Sequence, residues 1–326
     1  MVDPHGLTIP DISLPFSACT PHPAAHEIDA GTVEWLLDFG LLQTAEQERY
    51  FRAIGVGRWF PSLLPHGDVE RVLLGSQLTA WYTILDDHFA EKHGRQGDAT
   101  SLLRQLVHCE DIARLPDARD DDDDDDAPLH RALRDLSVRL REIAAPEQAL
   151  RLQWHSLQYY LGIAAETAYT AQGTLPGLAD YQRIRRLNSC IPPFFVMSEI
   201  ARGDRLPAGS LIRPDVQRLT ALAVDLVAVT NDIIGLPRDL ERGDTWTLCA
   251  VLAHHRGLSV EASLEHMVAQ FHRDAEAFSE LADRLMLSDP ETMPRYIPIL
   301  QDLVAGHLAW TKDSPRYKLS GWQYGT

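Results

Sequence analysis

Residues 81–94 read WYTILDDHFAEKHG. An apolar helical pattern ends there on Asp86 and Asp87, with Glu91 one turn later. At about 100° per residue, Asp87 and Glu91 form an i,i+4 pair, and the three carboxylates fall within an arc of roughly 140°. Acids crowded at the end of an apolar helix repel one another unless a cation joins them. Magnesium suits that role: it is a hard ion that takes one or two carboxylates and completes its octahedron with water and phosphate oxygens. A solvated helix end would carry the same residues, so this motif alone leaves both readings open.

A second column points the same way. The stretch LTALAVDLVAVTNDIIGLPRDLERGD holds Asn231, Gly235 and Asp239 at i, i+4 and i+8. That spacing keeps them within about 80° of one helix face. Asn231 and Asp239 each offer an oxygen, and Gly235 leaves a gap that one water could fill. Arg238, near the same face, adds a fixed cation suited to phosphate oxygens. A polar column on an apolar helix is costly to bury unless it is satisfied. Two such columns on separate helices imply a shared metal cluster.

The elements that must position them are helices throughout. Apolar residues recur at three and four, and alternating strand-like runs are nearly absent, so the fold class is all-α. Helical patterns cover 26–42, 45–54, 129–144, 147–172, 178–190, 194–202, 213–240, 245–255, 259–286 and 290–313. Another starts at an Asp68 N-cap and carries Val69, Val72, Leu73, Trp81, Tyr82 and Leu85 into the acidic motif. No internal repeat or dividing linker appears, so 1–326 reads as one domain of roughly ten helices. An extended segment at 1–20, an acidic loop at 117–128 and a tail at 318–326 are its irregular parts. Seven consecutive aspartates at 120–126 repel one another and stay hydrated, and nothing in the pattern converges them on one ion. They are a decoy.

Composition bounds the function. Of 326 residues, 45% are hydrophobic, ample for a core. The formal net charge is −17, seven of those charges from the 120–126 run, and the chain stays acidic without them. An acidic surface argues against nucleic acid, whose phosphates need Lys and Arg. Four scattered cysteines (Cys19, Cys109, Cys190, Cys249) without a CxxC pairing fit a reducing compartment. No basic segment followed by an apolar run opens the chain, and no uninterrupted apolar stretch reaches the roughly 18 residues of a membrane span. The expectation is a soluble, cytoplasmic protein with no membrane partner.

These residues resemble the class I terpene synthases of the bacterial type, all-α cyclases of isoprenoid diphosphates. DDHFAE is similar to that family's aspartate-rich motif, in the variant with the later acid at the sixth position. NDIIGLPRD resembles its ND-x-x-S-x-x-x-E motif, with Arg238 just before the final acid. Tyr181-x-x-x-Arg185 lies where the family places a diphosphate-sensing arginine, 46 residues before Asn231. Arg316-Tyr317 lies 85 residues after Asn231, like the family's C-terminal Arg-Tyr pair. Trp310, six before that arginine, is similar to a tryptophan lining the family's cavity, and PHPAA, Trp35 and FGLL resemble its N-terminal helices. The similarity covers nearly the whole chain.

The resemblance implies a single-domain helical bundle around a central active-site cavity. It implies ionisation of an isoprenoid diphosphate with Mg2+ (three ions), release of diphosphate, and cyclisation of the carbocation to a terpene hydrocarbon or alcohol. Farnesyl diphosphate is the implied substrate, with geranylgeranyl and geranyl diphosphate as alternatives, and homodimers are frequent in the family. Asp86 and Glu91 would bind metal on one wall, beside Asp87; Asn231 and Asp239 would bind it on the other. Arg185, Arg238, Arg316 and Tyr317 would hold the diphosphate, and Ser189 would assist ionisation through its backbone carbonyl. Trp310 would face the cation, with Tyr82 and Phe194 or Phe195 as further rings. Four departures stand out: Gly235 for serine, Asp239 for glutamate, Pro237 inside the motif, where it disfavours helix at Leu236, and Asn188-Ser189 after Arg185 for an acid and a small residue. The first three keep in play a non-catalytic helical protein that only binds isoprenoids or a protein partner. A chain-elongating prenyltransferase would want a second aspartate-rich motif. His88, His93 and the His254-His255 pair lack zinc-like spacing and read as surface or helix-end residues.

Overall fold

A computed structural model describes residues 7–17, 19–90, 98–118 and 127–318, with the side chains of residues 88–90 excepted. Local chemistry sets many helix ends. After α1 (Ala25–Asp38), Thr44 and Gln47 form a reciprocal capping box that starts α2 (Ala45–Ile54). Asp68 accepts from the Arg71 amide at 3.1 Å and opens α3 (Val69–Ile84), as its sequence position implies. α4 (Ala99–Arg114) follows. Proline supplies the first turn of α5 (Pro128–Ile143), α6 (Pro146–Ala171), α8 (Pro192–Arg202) and α9 (Pro214–Arg242), where its missing N–H costs nothing. α7 (Leu178–Asn188) lies between α6 and α8 in the chain; α10 (Leu248–Arg256), α11 (Val260–Ser288) and α12 (Met293–Asp313) complete the longer helices, beside one-turn helices at Trp59–Ser62 and Ala208–Leu211. Among the described residues there is no strand.

Three packing relations position the site. α9 lies between α11 and α12, α3 packs on α1, and α6 packs on α4 and α7. All share one continuous apolar core. At Gly162 of α6 an added Cβ would stand 2.5 Å from the Asn188 amide nitrogen, so only glycine lets the end of α7 approach this closely. The N-terminal segment is tied to the end of α12: Lys312 Nζ donates to Asp11 Oδ1 (2.6 Å) and to the Ile12 carbonyl (3.0 Å).

Four expectations need correction. α4 was not anticipated, although Leu102, Leu106, Cys109 and Ile112 form its buried stripe. The α-helical spacing assumed for the acidic motif stops at Ile84, and Leu85–Ala90 is a π-helix. Ser76, Thr79 and Thr83 each donate to the carbonyl four residues back, which competes for the helical acceptors just before this widening. Pro237 does not break α9. Ile233 and Leu236, in the turn before it, are fully buried, and that packing outweighs the lost amide donor. Finally, α9 is long and apolar enough to cross a membrane, yet it lies mostly inside the core and is a core helix.

Candidate active site

The two acidic columns meet. Asp86, Asp87, Asn231, Arg185, Arg238 and Arg316 line one end of a cavity of about 220 Å3. An adjoining polar hollow of about 270 Å3 shares Asp86, Arg185, Asn231 and Arg238 and adds Asp239 and Arg242. Among the described residues no group of three His, Cys, Asp or Glu side chains forms a ready metal cage. The oxygen donors are instead split between walls and include an amide. Glu91 lies outside the described residues, as does the 120–126 run.

On the α3 side, Asp87 is held by a two-pronged bond, Arg316 Nη1 to Oδ2 at 2.8 Å and Nη2 to Oδ1 at 2.9 Å. Burial pushes the Asp87 carboxyl up, but the Arg316 charge and hydrogen bonds outweigh it and hold it below the usual range. Asp86 has no such partner. Burial, then repulsion from Asp87, pushes its carboxyl up to about 6.

Facing it, Arg185 binds Asp232 at 2.7 Å and reaches Asn231 Oδ1 at 3.1 Å. Tyr181 donates to the other Asp232 oxygen at 3.0 Å. Burial alone would lower the Arg185 pKa, but the Asp232 charge overrides it and keeps the guanidinium firmly protonated. The Asn231 amide donates to the Tyr317 hydroxyl at 2.8 Å, so Tyr317 acts on the site through Asn231. Burial pushes Asp239 up to about 6, and Arg238 stands 3.6 Å from it with an Nε that makes no hydrogen bond. A Cβ built on Gly235 would meet Asp239 Oδ2 at 3.4 Å, ordinary contact, so the position accepts a Cβ without a clash.

These observations fit a divalent cation. Two carboxylates raised by burial and aimed into one hollow are stabilised by nothing so well as added positive charge. Asp86 and Asp239 are the residues with that need, and Asn231 Oδ1 keeps a lone pair beyond its bond to Arg185.

The rest of the cavity wall is largely aromatic: Trp59, Tyr82, Phe194, His307 and Trp310, with Tyr159 hydrogen-bonded to Asp86 between the two parts. Trp59 meets Phe194 edge-on at 4.7 Å, and Tyr82 meets Tyr159 edge-on at 5.1 Å. Trp59 Nε1 donates to His307 Nδ1 at 3.0 Å, and burial pushes His307 down to about 3, so the ring is neutral. Of the two phenylalanines after the proline pair, Phe194 lines the cavity, whereas Phe195 is core. Trp310 is in the wall, edge-on to Tyr317 at 6.0 Å. Ser189 is also in the wall, with its hydroxyl turned to the Arg186 carbonyl (3.1 Å). His254 and His255 are exposed in the last turn of α10.

Sequence reasoning missed Asp232, although it stands in the ND pair itself. Its role became visible only as the buried partner of Arg185. It also missed Cys190, which lines the cavity with φ at 57° just after α7 ends. The Pro192-Pro193 pair was the available signal for a break there.

The profile of terpene synthase family 2, C-terminal metal binding, matches residues 77–277. The chain is 26% identical over 317 residues to spiroviolene synthase of Streptomyces violens, covering 95% of this chain and 87% of that one. It is 24% identical over 312 residues to a 4-epi-cubebol synthase of Streptosporangium roseum named as cyclising (2E,6E)-farnesyl diphosphate, covering 95% and 92%. Among solved structures it matches 2-methylisoborneol synthase of Streptomyces coelicolor, in complex with Mg2+ and 2-fluoroneryl diphosphate. There the TM-score is 0.82 and the identity 24%, over 94% of this chain and 97% of that one.

Proposed function

This chain belongs to terpene synthase family 2, and from that premise we propose that it ionises farnesyl diphosphate with magnesium and cyclises the resulting carbocation. As a terpene synthase it is a lyase of isoprenyl diphosphates. The observation that carries the finer reading is the meeting of Asp86 with Asn231 and Asp239 around one hollow, with arginines at one end and aromatic rings at the other. The farnesyl chain length is supported by the cubebol relative and the magnesium by the 2-methylisoborneol complex. We treat the chain as one domain, on the continuity of its core, and as cytoplasmic, on its four free cysteines.

Asp86, Asn231 and Asp239, with Glu91, would hold the ions, three by resemblance. When bound, magnesium supplies positive charge against which the allylic C–O bond breaks heterolytically. Arg185, Arg238 and Arg316 donate charge-assisted hydrogen bonds to the leaving diphosphate, so the electron pair departs onto an anion already neutralised. Asp232 and Tyr181 fix the Arg185 fork, so that it needs no reorganisation. Beyond this end the wall is apolar, which keeps out the water that would quench the cation. Trp59, Phe194 and Trp310 line the wall, and a π face is worth about 0.5–2 kcal/mol to a cation lying over it. The neutral His307 puts no competing charge there.

The test is to incubate pure protein with Mg2+ and the ten-, fifteen- and twenty-carbon diphosphates, and to analyse a hexane extract by mass spectrometry. A cyclic fifteen-carbon product is expected; absence of any terpene would overturn the reading. Gly235 offers a second, narrower test. The Cβ of a serine at 235 would make only ordinary contact with Asp239, and its hydroxyl would add an oxygen to the column that holds Asn231 and Asp239. Gly235→Ser should lower the Mg2+ concentration for half-maximal rate by about 3–10-fold, the order of one added oxygen ligand or hydrogen bond. A rise would mean that the space is needed empty.

A further inference from the structure

Behind the aromatic end lies a second, apolar cavity of about 360 Å3 that the mechanism above does not use. Leu78 of α3, Leu133, Leu136 and Leu140 of α5, and Leu152 and Tyr160 of α6 are among its walls, and it opens to solvent beside the exposed Arg141 and Leu150. Among the described residues Tyr82 is the one that lines both this cavity and the reaction cavity. It is almost fully buried. On the reaction side it stands edge-on to Tyr159 (5.1 Å) and Phe194 (6.1 Å). On the other side its hydroxyl lies 2.6 Å from Ser156 Oγ, and Ser156 is part of the second cavity's wall. The Ser156 hydroxyl already donates to the Leu152 carbonyl at 2.9 Å, so Tyr82 is the donor in their bond. The ring is thus gripped at its tip by α6 and at its base by α3.

Resting on the terpene synthase reading, we propose that Tyr82 limits the length of the prenyl chain this enzyme accepts, by walling the reaction cavity off from a second hydrocarbon-lined space. The chemistry is that of the substrate tail. Asp86 fixes the diphosphate end, and Tyr82 stands one helical turn, about 6 Å, deeper along α3. A tail reaching that depth meets the ring and folds back on itself, which favours ring closure. With the ring gone, a further isoprene unit enters a space whose leucines match it.

The test compares kcat/KM for the fifteen- and twenty-carbon diphosphates, read as diphosphate release with Mg2+. One methylene in an apolar pocket changes such ratios by about tenfold or more. In Tyr82→Ala, and in Tyr82→Leu, which keeps more of the packing, the twenty-to-fifteen ratio should rise at least about tenfold. Tyr82→Phe, which keeps the ring, should hold the wild-type ratio. Ala149 lines the second cavity, and Ala149→Phe added to Tyr82→Ala should bring the ratio back. In the wild-type background Ala149→Phe should change neither value, because the partition is closed. A folded Tyr82→Ala or Tyr82→Leu protein with an unchanged ratio would overturn the proposal. So would a rise that Ala149→Phe does not reverse, or a loss caused by Ala149→Phe alone. If wild type releases no diphosphate from either substrate, the terpene synthase reading itself fails and this proposal goes with it.

Discussion

Asp86→Asn should cut diphosphate release by about 10²-fold or more, yet make the metal-free protein more stable at pH 7. The two effects share one cause. Asp86 stands in a hollow where burial and the neighbouring Asp87 push its carboxyl up to about 6, from 3.8. A carboxyl raised on folding contributes stability that is full below its unfolded value of 3.8 and is lost as pH climbs through about 6. At pH 7 the ionised form therefore burdens the fold. At about 1.4 kcal/mol per pK unit, discounted because the side chain faces an open cavity, the burden is on the order of 1–2 kcal/mol. Asp239, pushed up to about 6 by burial, adds in the same sense. The amide removes the charge and with it the grip on a cation. In metal-free buffer the thermal midpoint of Asp86→Asn should exceed wild type by about 2–4 °C at pH 7 and converge with it by about pH 4. Retained turnover, or a lower midpoint at pH 7, would show that Asp86 does not hold the charge that drives ionisation.

Arg316→Gln should be inactive for a different reason and unstable as well. The change removes both prongs on Asp87 and leaves a mostly buried carboxylate alone, which costs about 3 kcal/mol. Lost contact with the leaving group should lower kcat/KM by about 10²–10³-fold. The double variant Asp87→Asn/Arg316→Gln separates the two effects. It should regain most of the stability, since no unpaired charge remains, and none of the turnover. Because Arg316 holds Asp87 below its usual range, the pair's contribution is complete above about pH 4 and fades only as pH falls lower. In Arg316→Gln nothing offsets the burial that pushes Asp87 up, so the gap in urea midpoint between wild type and the variant should widen as pH rises from 5 to 8. A double variant as unstable as the single one would put the instability elsewhere.

Much of this was legible in the chain because the chemistry is local or periodic. The Asp68 cap, the apolar stripe of α3 and the i, i+4, i+8 column of α9 depend only on neighbours along one helix, and the structure keeps all three. Asp86 and Asn231 could be predicted to converge because two costly polar columns need a common partner. What escaped depends on other elements. The pairing of Asp232 with Arg185 joins residues 47 apart, and nothing in the ND dipeptide says which of its members turns inward to an arginine. The π-turn at Leu85–Ala90 departs from the 3.6-residue period, and period counting at 100° per residue cannot see it. Pro237 carried a local signal for a break, and the burial of Ile233 and Leu236 overrode it. Tyr82 could be read as an aromatic near the acids, but a ring that lines two cavities is visible only once α5 and α6 are in place.

The account stands on Asp86 and the Asn231–Asp239 column gripping the same cations. Crystals grown with Mn2+ and inorganic diphosphate, measured at the manganese edge, read that directly. Anomalous peaks touching Asp86 and, across the diphosphate, Asn231 and Asp239 are the predicted result. Ions on one wall alone, or diphosphate seated away from Arg185 and Arg316, would contradict it.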